Sequence, residues 1–162
     1  MRVAFAVLSL LLVAQSSRAA DPVYLDELAE TPLATLQSMF PGMKHEGCYR
    51  LGETRYLLLT LDKKDQKPWR VMLSTVAPCR RAETGPALDV RARTGVELGQ
   101  TQVQAVVKMG RPDTTGPPET PMRKHGDMEF FYLCRVSEGC ARHTSVFFKD
   151  GVVSAISEWY SE

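Results

Sequence analysis

Three histidines, four cysteines and a scatter of acids are the residues of this 162-residue chain whose side chains could do chemistry. A hydrolytic centre needs a nucleophile within hydrogen-bond reach of its base, and a metal centre needs convergent donors. His45, His125 and His143 fall in separate loops or strand starts, and a lone polar histidine of this kind reads as a surface residue. The sequence has no Gly-x-Ser-x-Gly elbow, phosphate-cradling loop or zinc-protease motif. The acids Asp26-Glu27 and Glu158…Glu162 read as solvated surface rather than a catalytic dyad, and Arg80-Arg81 and Arg123-Lys124 as solubilising charge. No catalytic, cofactor or metal site is assigned on this basis. The rival reading, a small secreted hydrolase, requires His125 or His143 in a cleft with Ser, Asp or Glu.

The cysteines have a simpler explanation. Cys48, Cys79, Cys134 and Cys140 form an even set, and an even set in an oxidising compartment reads as disulfides. Four cysteines allow three connectivities, of which sequence proximity favours Cys48–Cys79 with Cys134–Cys140. A zinc site would need CxxC or HxxxH spacing, which the chain lacks.

The compartment follows from residues 1–19. Arg2 precedes an apolar run from Val3 to Leu8, resumed from Leu10 to Ala14, and Ser17 and Ala19 supply the small-x-small pattern of a secretory signal peptide. That run is too short for a transmembrane helix, which needs about 20 residues. No Cys stands at the cleavage point to take a lipid. Export to the periplasm or beyond is therefore expected, with neither a membrane span nor a lipid anchor. Losing Arg2 and Arg18 with the leader takes 20 basic residues to 18, against 19 acids. So even a balance argues against nucleic acid as a partner.

These residues must be positioned by short alternating elements. Thr31-Pro32 opens a helix whose apolar stripe is Leu33, Leu36 and Phe40, with Thr31 as its cap and Pro41-Gly42 as its stop. Strand patterns follow at 48–51, 55–61 and 69–76, forming a meander. Residues 77–95 look like a connector, with an edge strand at 88–92. Thr101 and Gln104 have capping-box spacing, and Val103, Val106, Val107 and Met109 give the helix after them an expected buried stripe. Gly110 and Pro112 stop it, and the Gly/Pro stretch 116–121 reads as a flexible loop. Strands at 128–136, 143–149 and 152–160 close the chain, with Asp150-Gly151 a hairpin signal. The fold class is α+β, as two helix-plus-meander halves (20–93 and 94–162) or one continuous antiparallel sheet with helices on one side.

The pattern Gly95-Val-x-Leu-Gly99-x-Thr101…Val103…Val107…Gly110-x-Pro112, followed by a Tyr/Phe strand and Phe148-x-Asp-Gly151-x-Val153, resembles the SmpA/OmlA (BamE-like) domains. It is also similar to the related β-lactamase-inhibitor-protein fold. The resemblance covers about residues 94–160. It implies an envelope accessory or a protein inhibitor. The echo of Thr31-x-Leu33-x-x-Leu36-x-x-Met39 in Thr101-x-Val103-x-x-Val106-x-x-Met109 leaves two readings, coincidence or a tandem duplication, and the second would resemble the tandem arrangement of the inhibitor proteins. The absence of a lipidated Cys departs from the assembly lipoproteins and favours a soluble, secreted form.

Alternation places Met128, Phe130, Tyr132 and Cys134 on one sheet face and Phe131 and Leu133 on the other, so both faces carry large apolar groups. One face must pack on the helix. The other is either covered by the first half or presented to a partner protein. Trp69, Tyr132, Arg135 and Tyr160 are the expected contact residues, because Trp, Tyr and Arg dominate interface energies.

Overall fold

The structure, a computed structural model, describes residues 21–64, 66–133 and 142–160. Cys134, Arg135 and Cys140 lie outside them, and with them the Cys134–Cys140 pairing and the distal part of the strand expected at 128–136. The leader-like residues 1–19 also lie outside.

Ten strands (β1 to β10), three α-helices and one 3-10 helix make a mixed α+β fold among the described residues. β1 (Val23–Tyr24) leads into α1 (Leu25–Glu30) and α2 (Leu33–Met39). Then come β2 (Glu46–Arg50), β3 (Tyr56–Leu61), β4 (Pro68–Ser74), β5 (Glu83–Thr84) and β6 (Val90–Arg91). The second half holds α3 (Gln102–Met109), β7 (Thr114–Gly116) and the 3-10 helix (Thr120–His125). It ends with β8 (Met128–Tyr132), β9 (Arg142–Lys149) and β10 (Val152–Tyr160).

Eight strands form one sheet in the order β5-β2-β3-β4-β10-β9-β8-β7, antiparallel except for the β2–β5 pair. The two meanders therefore join side by side. β4 and β10 pair antiparallel, with Leu73 opposite Ile156 and Val71 opposite Glu158. The first half extends the sheet instead of covering it. The edge strand expected at 88–92 is reduced to Val90–Arg91 and pairs in parallel with Val23–Tyr24, apart from the main sheet.

The sheet has two unlike faces, as its period of two requires. Leu57, Leu59, Val71, Leu73, Val146, Phe148 and Ile156 share one face and are buried with Leu25, Leu28, Leu36 and Phe40 of the helical layer. Phe40 stacks 4.7 Å from Tyr49. The helix over 33–39 forms as its Leu/Leu/Phe spacing predicts, but Thr31 does not cap it. Its hydroxyl donates to the Glu27 carbonyl (2.6 Å) at the end of α1, and Pro32 occupies the cap position.

α3 starts on the expected capping box: Gln104 N donates to Thr101 Oγ1 (3.3 Å) and Thr101 N to Gln104 Oε1 (2.8 Å). Its buried residue is Ala105, while Val103 and Val107 are 73% and 80% exposed. The expected stripe of Val103, Val106, Val107 and Met109 therefore holds only in part: Val106 and Met109 are half-buried, with Met109 packed against the core, while Val103 and Val107 face outward. The short segment is clipped at its start to β10, through Gly99 N to Val153 O (2.8 Å) and Val153 N to Gln100 O (2.7 Å). That clip rotates the small Ala105 inward and leaves Val103 and Val107 outside. Asp150 and Gly151 take φ of 54° and 79°, as a tight hairpin with two left-handed positions requires.

A charged seam ties α1 to the end of the sheet. Arg93 pairs with Asp26 (2.7 Å) and Glu27 (2.6 Å), and Arg142 with Asp26 (3.4 Å) and Glu30. Glu158, on β10, is buried against this seam, and its Oε2 has no hydrogen-bond partner. Burial, with the Asp26 carboxylate beside it, raises Glu158 to about 7, against the pull of Arg142 and Arg93.

A candidate binding groove on the helix-free face

The face opposite the helices carries Met72, Ser74, Ser145, Phe147, Ala155, Ser157 and Trp159, by the registers of β4, β9 and β10. Its centre is roofed by the 3-10 helix Thr120–His125, which starts at the end of the stretch 116–121 read from sequence as a flexible Gly/Pro loop. Met122 of the 3-10 helix packs on a small buried cluster of Met72, Phe147 and Ala155. Lys124 Nζ donates to the Pro78 carbonyl and Arg123 Nε to the Pro118 carbonyl (3.4 Å), so this doublet fastens the roof. Gly126 permits the close descent to β9. A Cβ there would lie 2.6 Å from the Phe148 carbonyl oxygen, while Asp127 N donates to that same oxygen (2.9 Å).

Under the roof, Ser74 Oγ and His125 Nδ1 lie 3.0 Å apart in a hydrogen bond. A bulge between Val153 and Ala155 turns Ser154 inward, where its hydroxyl donates to the His125 carbonyl and contacts the Phe147 carbonyl at 3.1 Å. A serine beside a histidine is the pattern a hydrolase would need. Here Ser74 is 0% and His125 1% exposed, so no substrate reaches the hydroxyl. Burial, with Lys124 and Arg70 nearby, lowers His125 to about 4 and keeps the ring neutral at neutral pH. The pair is a fastener.

Beside the roof the face stays open. A groove of about 360 Å³ is lined by Arg70, Glu129, Phe131, Ser145, Ser157 and Trp159 on its floor and walls, with 114–117, Glu119 and Met122 at the rim. Half-buried rings line one side. Trp159 lies 5.9 Å from Phe131 and 4.7 Å from His143, and His143 lies 5.4 Å from Phe131. The Arg70 guanidinium sits 4.5 Å over the Trp69 ring and 6.0 Å from that of Trp159. Its Nη1 contacts Met122 Sδ at 3.8 Å, its Nε is buried without a hydrogen-bond partner, and among the described residues it makes no ion pair. Burial lowers its affinity for its proton, which Glu129 and Glu119 only partly restore. Ser157 is 1% exposed and its Oγ also lacks a partner. Trp159 Nε1 donates to Ser145 Oγ (3.4 Å).

Of the four contact residues expected from sequence, Trp69 flanks this groove as the platform under Arg70. Tyr132 lies on the core face, 5% exposed, with its hydroxyl 3.5 Å from the Gly110 carbonyl. Tyr160 is half-buried on that same face and accepts from Arg142 Nε (3.1 Å). Arg135 is outside the described residues. Sequence reasoning missed Arg70, Phe131 and Trp159 as a group. Its own alternation rule placed Phe131 on the far face, but the β4–β10 pairing that sets Arg70 opposite Trp159 joins distant segments.

Cys48 and Cys79 form a disulfide, as proximity predicted, and it ties β2 to the segment after β4. Among the described residues, no helix is long and apolar enough to cross a membrane, and no three His, Cys, Asp or Glu side chains gather as metal donors. Compared with known proteins, the chain matches no family model, no curated protein and no solved structure.

Proposed function

We propose that this chain is an exported, disulfide-stabilised protein-binding module without catalytic activity, and that its contact surface is the groove on the helix-free face. One observation carries the reading: the Arg70 guanidinium is held between the Trp69 and Trp159 rings, without an ion pair among the described residues, at the edge of an open groove also lined by Phe131. Tryptophan and arginine side chains beside an open groove are the kind that anchor protein interfaces. The rigid β-sheet scaffold limits the entropy lost on association. The resemblance of 94–160 to SmpA/OmlA domains and to the β-lactamase-inhibitor-protein fold supports an envelope-accessory or inhibitor-like role. The two edge-joined meanders with helices on one face agree with a tandem of two units. Export rests on the leader-like residues 1–19.

The hydrolase reading is the weaker of the two, because the described serine–histidine pair is sealed beneath the 3-10 helix. Affinity capture from the producing cells, with wild type, a Phe131→Ala/Trp159→Ala variant and a Val107→Lys control, tests the proposal. A partner retained by wild type and the control but lost by the groove variant is the expected result. Equal retention by all three would overturn it.

A further inference from the structure

The charges around the groove are unequal. Its ionised lining residues are Arg70, Glu119 and Glu129, two carboxylates against one guanidinium. None of the three is in an ion pair among the described residues. Arg70 is turned onto the rings of Trp69 and Trp159, and the carboxylates are left without a cation in contact. Glu119 is exposed at the rim, and Glu129 is half-buried. Glu129 stands two residues before Phe131 on β8, so both side chains share the open face, roughly 7 Å apart along the strand.

The approach to Glu129 is clear. Its neighbour on the edge strand β7 is Gly116. A Cβ at Gly116 would meet nothing within 4 Å, and the backbone there is not in the left-handed region that favours glycine. The missing side chain therefore opens a path over the sheet edge. Ser145 and Ser157, buried under the floor, take no part in holding a ligand. Their small side chains leave the depression between Phe131 and Arg70.

Resting on the binding reading above, we infer that the groove takes a basic side chain, lysine or arginine, of a partner protein. Its charged end lies between Glu129 and Glu119, and its methylene stem lies along Phe131 and Trp159. A basic side chain carries its charge beyond three or four carbons, so it offers an apolar stem and a cation at the spacing of Phe131 and Glu129. The half-buried ring faces attract a cation as well. Arg70 opposes the incoming charge, but it is one charge against two. An acidic side chain would meet the reverse balance. A cavity of about 360 Å³ holds one long side chain with its flanking backbone and is too small for a folded element.

The test is a two-dimensional NMR titration of the intact, oxidised protein, read at the Trp159 Nε1–H and at the Glu129 and Phe131 amides. The probes are N-acetyl-Ala-X-Ala amides with X as Lys, Arg, norleucine or Glu, together with the free diamine cadaverine. Both basic peptides should shift these signals saturably and bind about three- to tenfold tighter than the norleucine peptide. Glu129→Gln should abolish most of that preference and leave norleucine binding unchanged. Gly116→Val should exclude the basic peptides while the rest of the spectrum confirms the fold. If norleucine binds as tightly as lysine, or if either variant binds the basic peptides as wild type does, the inference is overturned. Tighter binding of the Glu peptide would overturn it in favour of an acidic side chain. Cadaverine binding as tightly as the lysine peptide would overturn it in favour of a small free amine. If no probe moves the signals the inference also fails, while the capture experiment, which presumes no basic residue, still decides the binding reading.

Discussion

Replacing Glu158 with Gln should make the protein more stable at pH 8 and should do little for it at pH 4. Glu158 is 3% exposed on β10, facing the seam of Asp26, Arg93, Arg142, Glu27 and Glu30. Burial raises its carboxyl from an ordinary 4.5 to about 7 in the folded chain, so the folded state binds the proton more tightly than the unfolded one. Stability then falls as pH rises from 4.5 to about 7, and the full cost is present above that range. The rise corresponds to roughly 3 kcal/mol at 1.36 kcal/mol for each pH unit. Gln keeps the shape and cannot ionise, so the Gln-minus-Glu difference in unfolding free energy should grow with pH by that order. Urea unfolding of both proteins at several pH values between 4 and 8 measures it. A pH-independent difference would refute the reasoning. A difference of opposite slope would show that Glu158 is ionised and held by Arg142, with the pair stabilising the seam.

Three further outcomes follow from the same reasoning. His125, lowered to about 4 from an ordinary 6.5, should withdraw stability as pH falls from 6.5 toward 4, and His125→Asn should flatten that limb of the profile measured by urea unfolding. Replacing Cys48 and Cys79 together by Ala should cost about 3–4 kcal/mol, because the bridge closes a separation of 31 residues, and denaturant midpoints with and without reductant would measure it. Val103→Thr and Val107→Lys should each change thermal stability by less than about 0.5 kcal/mol, since both side chains are exposed; a loss of more than 1 kcal/mol would restore the buried-stripe reading.

Much of the scaffold could be read from local signals. The Thr101/Gln104 capping box, the Asp150-Gly151 hairpin and the Leu/Phe spacing of 33–40 depend on residues within a few positions of one another, so the sequence carries them directly. The alternation of Met128, Phe130 and Tyr132 against Phe131 likewise gave the two faces of β8. What could not be read depends on long-range geometry. The facing of α3 is set by its clip to β10, not by its own valines. The roof over the second face depends on Lys124 meeting Pro78 and His125 meeting Ser74, contacts that span some fifty residues and that no local rule anticipates. The groove exists because β4 pairs with β10 and brings Arg70 opposite Trp159. Arg70 looked like any strand arginine until that pairing placed it between two tryptophans.

The claim that the helix-free face is the working surface is tested most directly by photo-crosslinking in the producing cells. A photoreactive residue at Thr115, on the groove rim, is compared with one at Val107, on the exposed side of α3. The account predicts a discrete crosslinked species from Thr115 that disappears when Arg70→Lys or Trp159→Ala is added, and none from Val107. A species from Val107 alone, or one from Thr115 indifferent to both groove substitutions, would contradict it.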